Sequence, residues 1–187
     1  GAVTWCSGTT GCTGAVSATN SLVGATASDQ VGSSGVTALT NGNFVVASAN
    51  WDNGAVANAG AVTWCSGTSA CTGAVSTANG LVGATVGNNV GSSVTALTNG
   101  NYVARSPNWD NGAATDAGAV TWCSGTTGCT GAVSAANSLV GSTASNQVGG
   151  GGIAALPNGY FVVASPNWDN GAATNVGAAT WCSGTAG

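Results

Sequence analysis

Short apolar runs recur along the chain, each bounded by Gly, Asn, Ser or Thr. In Ala2-Val3-Thr4-Trp5-Cys6, alternation puts Val3 and Trp5 on one face of a strand and Ala2, Thr4 and Cys6 on the other. Val36 to Leu39 reads as the first strand of a unit. Thr40-Asn41-Gly42-Asn43 follows, and Asn-Gly is a strong hairpin signal. Phe44-Val45-Val46-Ala47-Ser48 is the second strand, and its continuous apolar run predicts burial on both faces. Asn50-Trp51-Asp52-Asn53-Gly54 is a turn cluster. The third strand is Ala2 to Cys6, or Ala61 to Cys65 in the next copy. Ser7 to Gly11 turns the chain, and Cys12 to Val16 is expected to begin the fourth strand, with Ser21 to Gly24 extending it or adding an edge segment. No segment has helical length or period.

These runs repeat. Gly-Ala-Val-Thr-Trp-Cys-Ser-Gly begins at Gly1, Gly60 and Gly118, and a variant with a second Ala begins at Gly177, at spacings of 59, 58 and 59 residues. The one-residue deletion falls in a Gly/Ser tract near Ser93 and reads as a change of loop length. The repeats therefore run over residues 1–59, 60–117 and 118–176, with the start of a further one at 177–187. Four short antiparallel strands in each predict an all-β fold of tandem propeller-like blades; a β-solenoid is the alternative.

The order of motifs resembles the FG-GAP repeat of integrin-α-type β-propellers. Asp29-Gln30-Val31-Gly32-Ser33-Ser34 stands at that repeat's opening motif. Ala47-Ser48-Ala49, Arg105-Ser106-Pro107 and Ala164-Ser165-Pro166 stand near its Gly-Ala-Pro, and Gly60-Ala61-Val62-Thr63-Trp64 at its third strand. The resemblance implies a propeller. FG-GAP blades often carry an acidic calcium loop between the first two strands. Here that place holds Thr40 to Asn43, Thr98 to Asn101 and Pro157 to Tyr160, without an acid, so calcium is not expected.

Charge narrows the function. The chain has one Arg, five Asp and no Lys, Glu or His, for a net charge of −4. A single Arg105 cannot neutralise phosphates, which excludes ordinary nucleic-acid binding and a polybasic membrane patch. No apolar run approaches the roughly 20 residues that span a bilayer, so no membrane insertion is expected. A surface of Ser, Thr, Asn and Gly offers little electrostatic repulsion between copies, which favours self-association. Arg105 breaks an apolar pattern; it is free to pair with Asp110 or Asp116, to mark an interface, or to stand exposed.

Seven cysteines form three Cys-x5-Cys pairs and one remainder, Cys182. Each pair flanks a tight turn, so the expected bridges are Cys6–Cys12, Cys65–Cys71 and Cys123–Cys129. Loops this short give a chain-entropy stabilisation of roughly 2–2.5 kcal/mol each. Zinc sites use closer Cys pairs grouped in fours or joined by His, so no metal and no cofactor are expected. Disulfides place the chain in an oxidising setting, extracellular or at the cell surface. The spacing leads us to expect a partner for Cys182 one position past Gly187, in a longer array or in one whose ends a neighbouring copy completes.

The Asn-Trp-Asp-Asn-Gly loops have two readings. As a ligand platform, Trp51, Trp109 and Trp168 would stack on sugar rings beside Asp52, Asp110 and Asp169. As structural loops, Asp and Asn cap the turn while Trp folds inward. Trp5, Trp64, Trp122 and Trp181 are assigned to core or inter-repeat packing. One common acid per repeat does not make a glycosidase pair, and no His activates a Ser, so no enzyme activity is expected. The sequence points to a structural subunit of an extracellular fibre or surface assembly whose partners are identical copies. The alternative is an adhesin-like module binding glycans or proteins through those loops.

Overall fold

The computed structural model describes residues 1–186. Among them the chain forms strands, turns and no helix. The strands are β1 (Ala2–Thr4), β2 (Ser21–Val23), β3 (Val36–Ala38), β4 (Phe44–Ser48) and β5 (Ala61–Cys65). Next come β6 (Gly73–Ala74), β7 (Gly80–Val82), β8 (Ser93–Ala96), β9 (Tyr102–Ser106) and β10 (Ala119–Cys123). The last are β11 (Gly131–Ala132), β12 (Leu139–Val140), β13 (Gly152–Ala155), β14 (Phe161–Ser165) and β15 (Ala178–Cys182).

Four small sheets result, ordered β1-β2-β6, β3-β4-β5-β7-β11, β8-β9-β10-β12 and β13-β14-β15. The second sheet shows the unit at its fullest. Asn41-Gly42 turns β3 antiparallel to β4, with Gly42 at φ 87°, a left-handed conformation that glycine adopts without steric cost. The Asn50–Gly54 loop then brings β5 back along β4 in the register Phe44 to Cys65 and Ser48 to Ala61.

The fourth strand differs from the expectation. It is Gly80–Val82, paired antiparallel to β5, and its counterpart in the first copy is Ser21–Val23. The stretch after the second cysteine leaves its own sheet. Gly73–Ala74 pairs parallel with Leu22–Val23 of the preceding sheet, and Gly131–Ala132 pairs parallel with Leu81–Val82. The disulfide loop turns the chain toward its neighbour, so the residues beyond it add to the wrong sheet for a hairpin and the right one for a link. Cys12 to Val16, expected to begin a strand, forms none and is exposed.

The core lies between sheets. Val45, Val62 and Leu81 of the second sheet pack with Tyr102, Ala104, Ala119 and Val133. On the opposite face Val46, Ala61, Cys65 and Val82 pack with Leu22, Val31 and Val75. A third cluster joins Val103 and Val120 to Phe161 and Val163. Alternation along β5 produces this division: Val62 faces forward and Ala61 and Cys65 face back. Because Val45 and Val46 serve different clusters, β4 is buried on both faces, as its apolar run predicts. The strands β3, β8 and β13 follow one another side by side along one edge of the stack.

Candidate functional site

The recurring polar chemistry of this chain is at the seams between sheets. Each seam is built from an Asn-Gly-Asn turn, a strand Trp and the Ser-Gly that follows the first cysteine. The side-chain amides of Asn41 and Asn43 donate to the Gly125 carbonyl at 2.8 and 2.9 Å, and the Trp64 indole donates to the same oxygen at 2.9 Å. One repeat on, Asn99, Asn101 and Trp122 converge on the Gly184 carbonyl at 2.7, 2.9 and 2.9 Å. Trp5 makes the corresponding bond to Gly67, at 3.2 Å. A carbonyl oxygen has two lone pairs, so three donors saturate it.

Asn43 joins both sides of this arrangement. Its Oδ1 accepts the backbone N–H of Gly67 in its own sheet at 3.1 Å, while its Nδ2 reaches Gly125 in the next. Asn101 does the same with Gly125 and Gly184. The close approach requires glycine. A Cβ on Gly67 would lie 1.7 Å from the Gly42 carbonyl oxygen, and a Cβ on Gly125 would lie 1.6 Å from that of Gly100.

Disulfides enclose two of these acceptors. Cys65–Cys71 encloses Gly67 and Cys123–Cys129 encloses Gly125, with Cα atoms 5.6 and 5.4 Å apart. Cys6–Cys12 is closed in the same way, at 5.2 Å. Just past the Cys65–Cys71 clasp, Gly73 N–H donates to the Ala18 carbonyl and Val75 N–H to that of Val23, both at 3.0 Å. Gly131 and Val133 repeat this on Thr77 and Val82. The clasped loop is thus anchored to the preceding sheet at its acceptor glycine and again at the strand beyond it. Cys182 is unbridged and half-buried, and burial raises its thiol pKa.

Arg105 also spans a seam. Its guanidinium donates to the Gly149 and Gly150 carbonyls at 3.1 Å, and its Nε donates to Ser93 at 2.9 Å. Of the roles open to it in the sequence, the geometry selects an interface. It forms no bond with Asp110 or Asp116.

The Asn-Trp-Asp-Asn-Gly loops turn inward. Trp51 and Trp109 are 4% and 6% exposed and belong to the cores between sheets; Trp168 is half-buried. Asp52, Asp110 and Asp169 each accept one backbone N–H across the loop, from Asn58, Asp116 and Asn175 at 2.7, 2.9 and 2.7 Å. With their rings enclosed, Trp51 and Trp109 offer no open face to a sugar. The expectation of a stacking platform gives way at these two positions to the capping role.

Two groups of residues lie outside the candidates read from sequence. One is the seam itself, Asn41, Asn43, Asn99, Asn101 and the acceptor glycines, which the sequence marks only as recurring turn residues. The other is the buried Asp29. Its carboxylate accepts the amides of Ala25 and Thr26, the Thr26 hydroxyl and the amide of Asp52. Burial alone would raise its pKa, but these bonds, led by the Thr26 hydroxyl, outweigh burial and hold it below the usual carboxylate value. Asn88 and Asn146 occupy the same place in later repeats, each with a buried Nδ2 that has no partner.

Among protein families, the one described as Repeat of unknown function (DUF5650) matches the chain four times, at residues 1–33, 38–92, 96–150 and 155–187. Each of the two central matches runs from the end of one first strand, β3 or β8, to the tract just before the next. Neither a curated protein nor a solved structure matches the chain.

Proposed function

Since the chain belongs to the DUF5650 repeat family, whose function is unknown, we propose from its own geometry that it is a structural repeat of an extracellular assembly. In this reading the four sheets are successive blades of a propeller-like array, similar to FG-GAP blades without their calcium loop. The observation that carries it is the saturated glycine carbonyl. Gly125 and Gly184 each take three donors from the preceding sheet, so the chemistry conserved from repeat to repeat within this chain is spent on joining repeats.

Other features support the same reading. Three disulfides fit an oxidising compartment outside the cytoplasm. Among the described residues no helix is long and apolar enough to cross a membrane. The few charges are largely occupied inside the fold: Arg105 spans a seam and Asp29, Asp52, Asp110 and Asp169 cap loops. The remaining surface is neutral and hydroxyl-rich, which places little repulsion between identical copies.

Sedimentation velocity across a concentration series, with electron microscopy of the same samples, tests the assembly. Concentration-dependent growth into regular particles or filaments supports the proposal. A monodisperse monomer at the highest concentrations overturns it.

A further inference from the structure

The chain contains seven Asn-Gly dipeptides, at Asn41, Asn53, Asn79, Asn99, Asn111, Asn158 and Asn170. Asn-Gly is the dipeptide most prone to spontaneous deamidation, because glycine lacks the side chain that shields its backbone nitrogen. The reaction needs that nitrogen free and the asparagine side chain able to swing onto it. The fold grants these conditions unequally.

At Asn41 both are denied. Gly42 N–H donates to the Leu39 carbonyl at 3.0 Å. The Asn41 Oδ1 accepts Asn43 N–H and its Nδ2 is held at the Gly125 carbonyl. Asn99 has the same three restraints, through Leu97, Asn101 and Gly184. At Asn158 the Gly159 N–H donates to Leu156 and Oδ1 accepts Tyr160 N–H. Asn79 is held at both ends by Ser76 and Ala74, and Gly80 begins β7.

Asn53 sits in a different turn. Its backbone exchanges two hydrogen bonds with Val56, at 3.0 and 3.1 Å. This leaves Gly54 at the tip, exposed, with φ 64° and no backbone hydrogen bond from its N–H. The side chain is restrained at one end only, by Nδ2 donation to the Gly83 carbonyl at 3.1 Å. Asn111 repeats this with Ala114 and Gly141, and Asn170 has the same turn closed by Ala173.

We propose that Asn53, Asn111 and Asn170 are sites of spontaneous covalent modification, one per repeat, and that the fold protects the other four. The deprotonated Gly54 nitrogen attacks Asn53 Cγ. The new C–N bond closes a succinimide ring and the side-chain nitrogen leaves as ammonia. Water then opens either ring carbonyl, giving aspartate or isoaspartate. The product loses the amide that ties the loop to Gly83 and sets a carboxylate against that carbonyl. The isoaspartate form also lengthens the backbone inside a tight turn.

The test is incubation of the native, oxidised chain at mildly alkaline pH, followed by peptide mapping that separates aspartate from isoaspartate. Asn53, Asn111 and Asn170 should convert on the order of tenfold faster than Asn41, Asn99, Asn158 and Asn79, the protection expected where reaction waits for local opening. In the reduced chain in denaturant the sites flanked by similar residues should converge in rate. Asn53→Gln should remove the product at that site and leave the other rates unchanged. Conversion of Asn41 and Asn99 as fast as Asn53 in the native chain overturns the proposal. So does an order that persists after denaturation, because sequence and not fold would then set it.

Discussion

The Trp64 indole and the Gly125 carbonyl belong to neighbouring sheets and meet at 2.9 Å. Asn41 and Asn43 of Trp64's own sheet reach the same oxygen. Gly67, Gly125 and Gly184, each following the first cysteine of its repeat, are therefore receptors for the repeat before. A disulfide encloses two of them, Gly67 and Gly125.

The donors at this receptor differ in worth. Trp64→Phe removes one of three donors and leaves the carbonyl satisfied, at a cost of about 1 kcal/mol. Asn43→Ala removes a donor and also strips the Gly67 N–H of its acceptor, so the cost is about 1–3 kcal/mol. Thermal or urea unfolding should rank Asn43→Ala as the more destabilising of the two.

Identical local sequence should give opposite responses at two glycines. Gly8 and Gly125 both sit in Trp-Cys-Ser-Gly-Thr-Thr-Gly-Cys. A Cβ on Gly8 meets nothing within 4 Å, whereas one on Gly125 runs into the Gly100 backbone. Gly8→Ala should change stability by less than about 0.5 kcal/mol, and Gly125→Ala by more than about 4 kcal/mol or prevent folding. Chemical denaturation of the two variants separates these outcomes.

Opening a clasp should loosen a seam before it loosens a sheet. The double change Cys65→Ser and Cys71→Ser removes roughly 2–2.5 kcal/mol of chain-entropy stabilisation. Hydrogen exchange should rise first at Gly73 and Val75, whose N–H groups bond the preceding sheet, while Val45 and Val46 in β4 keep their protection. Uniform loss of protection along β4 and β5 would show that the clasp supports its own sheet instead.

Acid should act through Asp29. Its folded pKa lies below the unfolded value of about 4, so its stabilisation is present above that pH and is lost as pH falls through the folded pKa. Asp29→Asn should flatten the acid limb of a plot of melting temperature against pH. Asn88→Asp should do the reverse. There a second carboxylate oxygen replaces a buried, unpartnered Nδ2, and the variant should melt higher at neutral pH and gain acid sensitivity.

Much of the fold was legible because alternation and turn chemistry are local. Val62 and Trp64 against Ala61 and Cys65 divided as their alternation requires, and Asn41-Gly42 made the turn it encodes. The Cys-x5-Cys spacing was enough to pair the cysteines. The fourth strand was misplaced because Gly73–Val75 and Leu81–Val82 are equally strand-like, and only the third dimension decides which sheet each joins. The seam was hidden for a related reason. Asn43 reads as a turn residue in any one repeat, and its bond to Gly125 spans 82 residues. The Asp52 family looked like ligand groups because capping and ligand binding draw on the same residue types.

The indole protons test the seam most directly. Hydrogen exchange followed by NMR reports each Trp N–H separately. The Trp64 and Trp122 indoles, each bonded to a glycine carbonyl of the next sheet, should exchange slowly, near the rate set by global unfolding. Trp181, at the same position of the repeat but 61% exposed, should exchange quickly. Fast exchange at Trp64 and Trp122, at the rate of Trp181, would contradict a seam in which these donors are held.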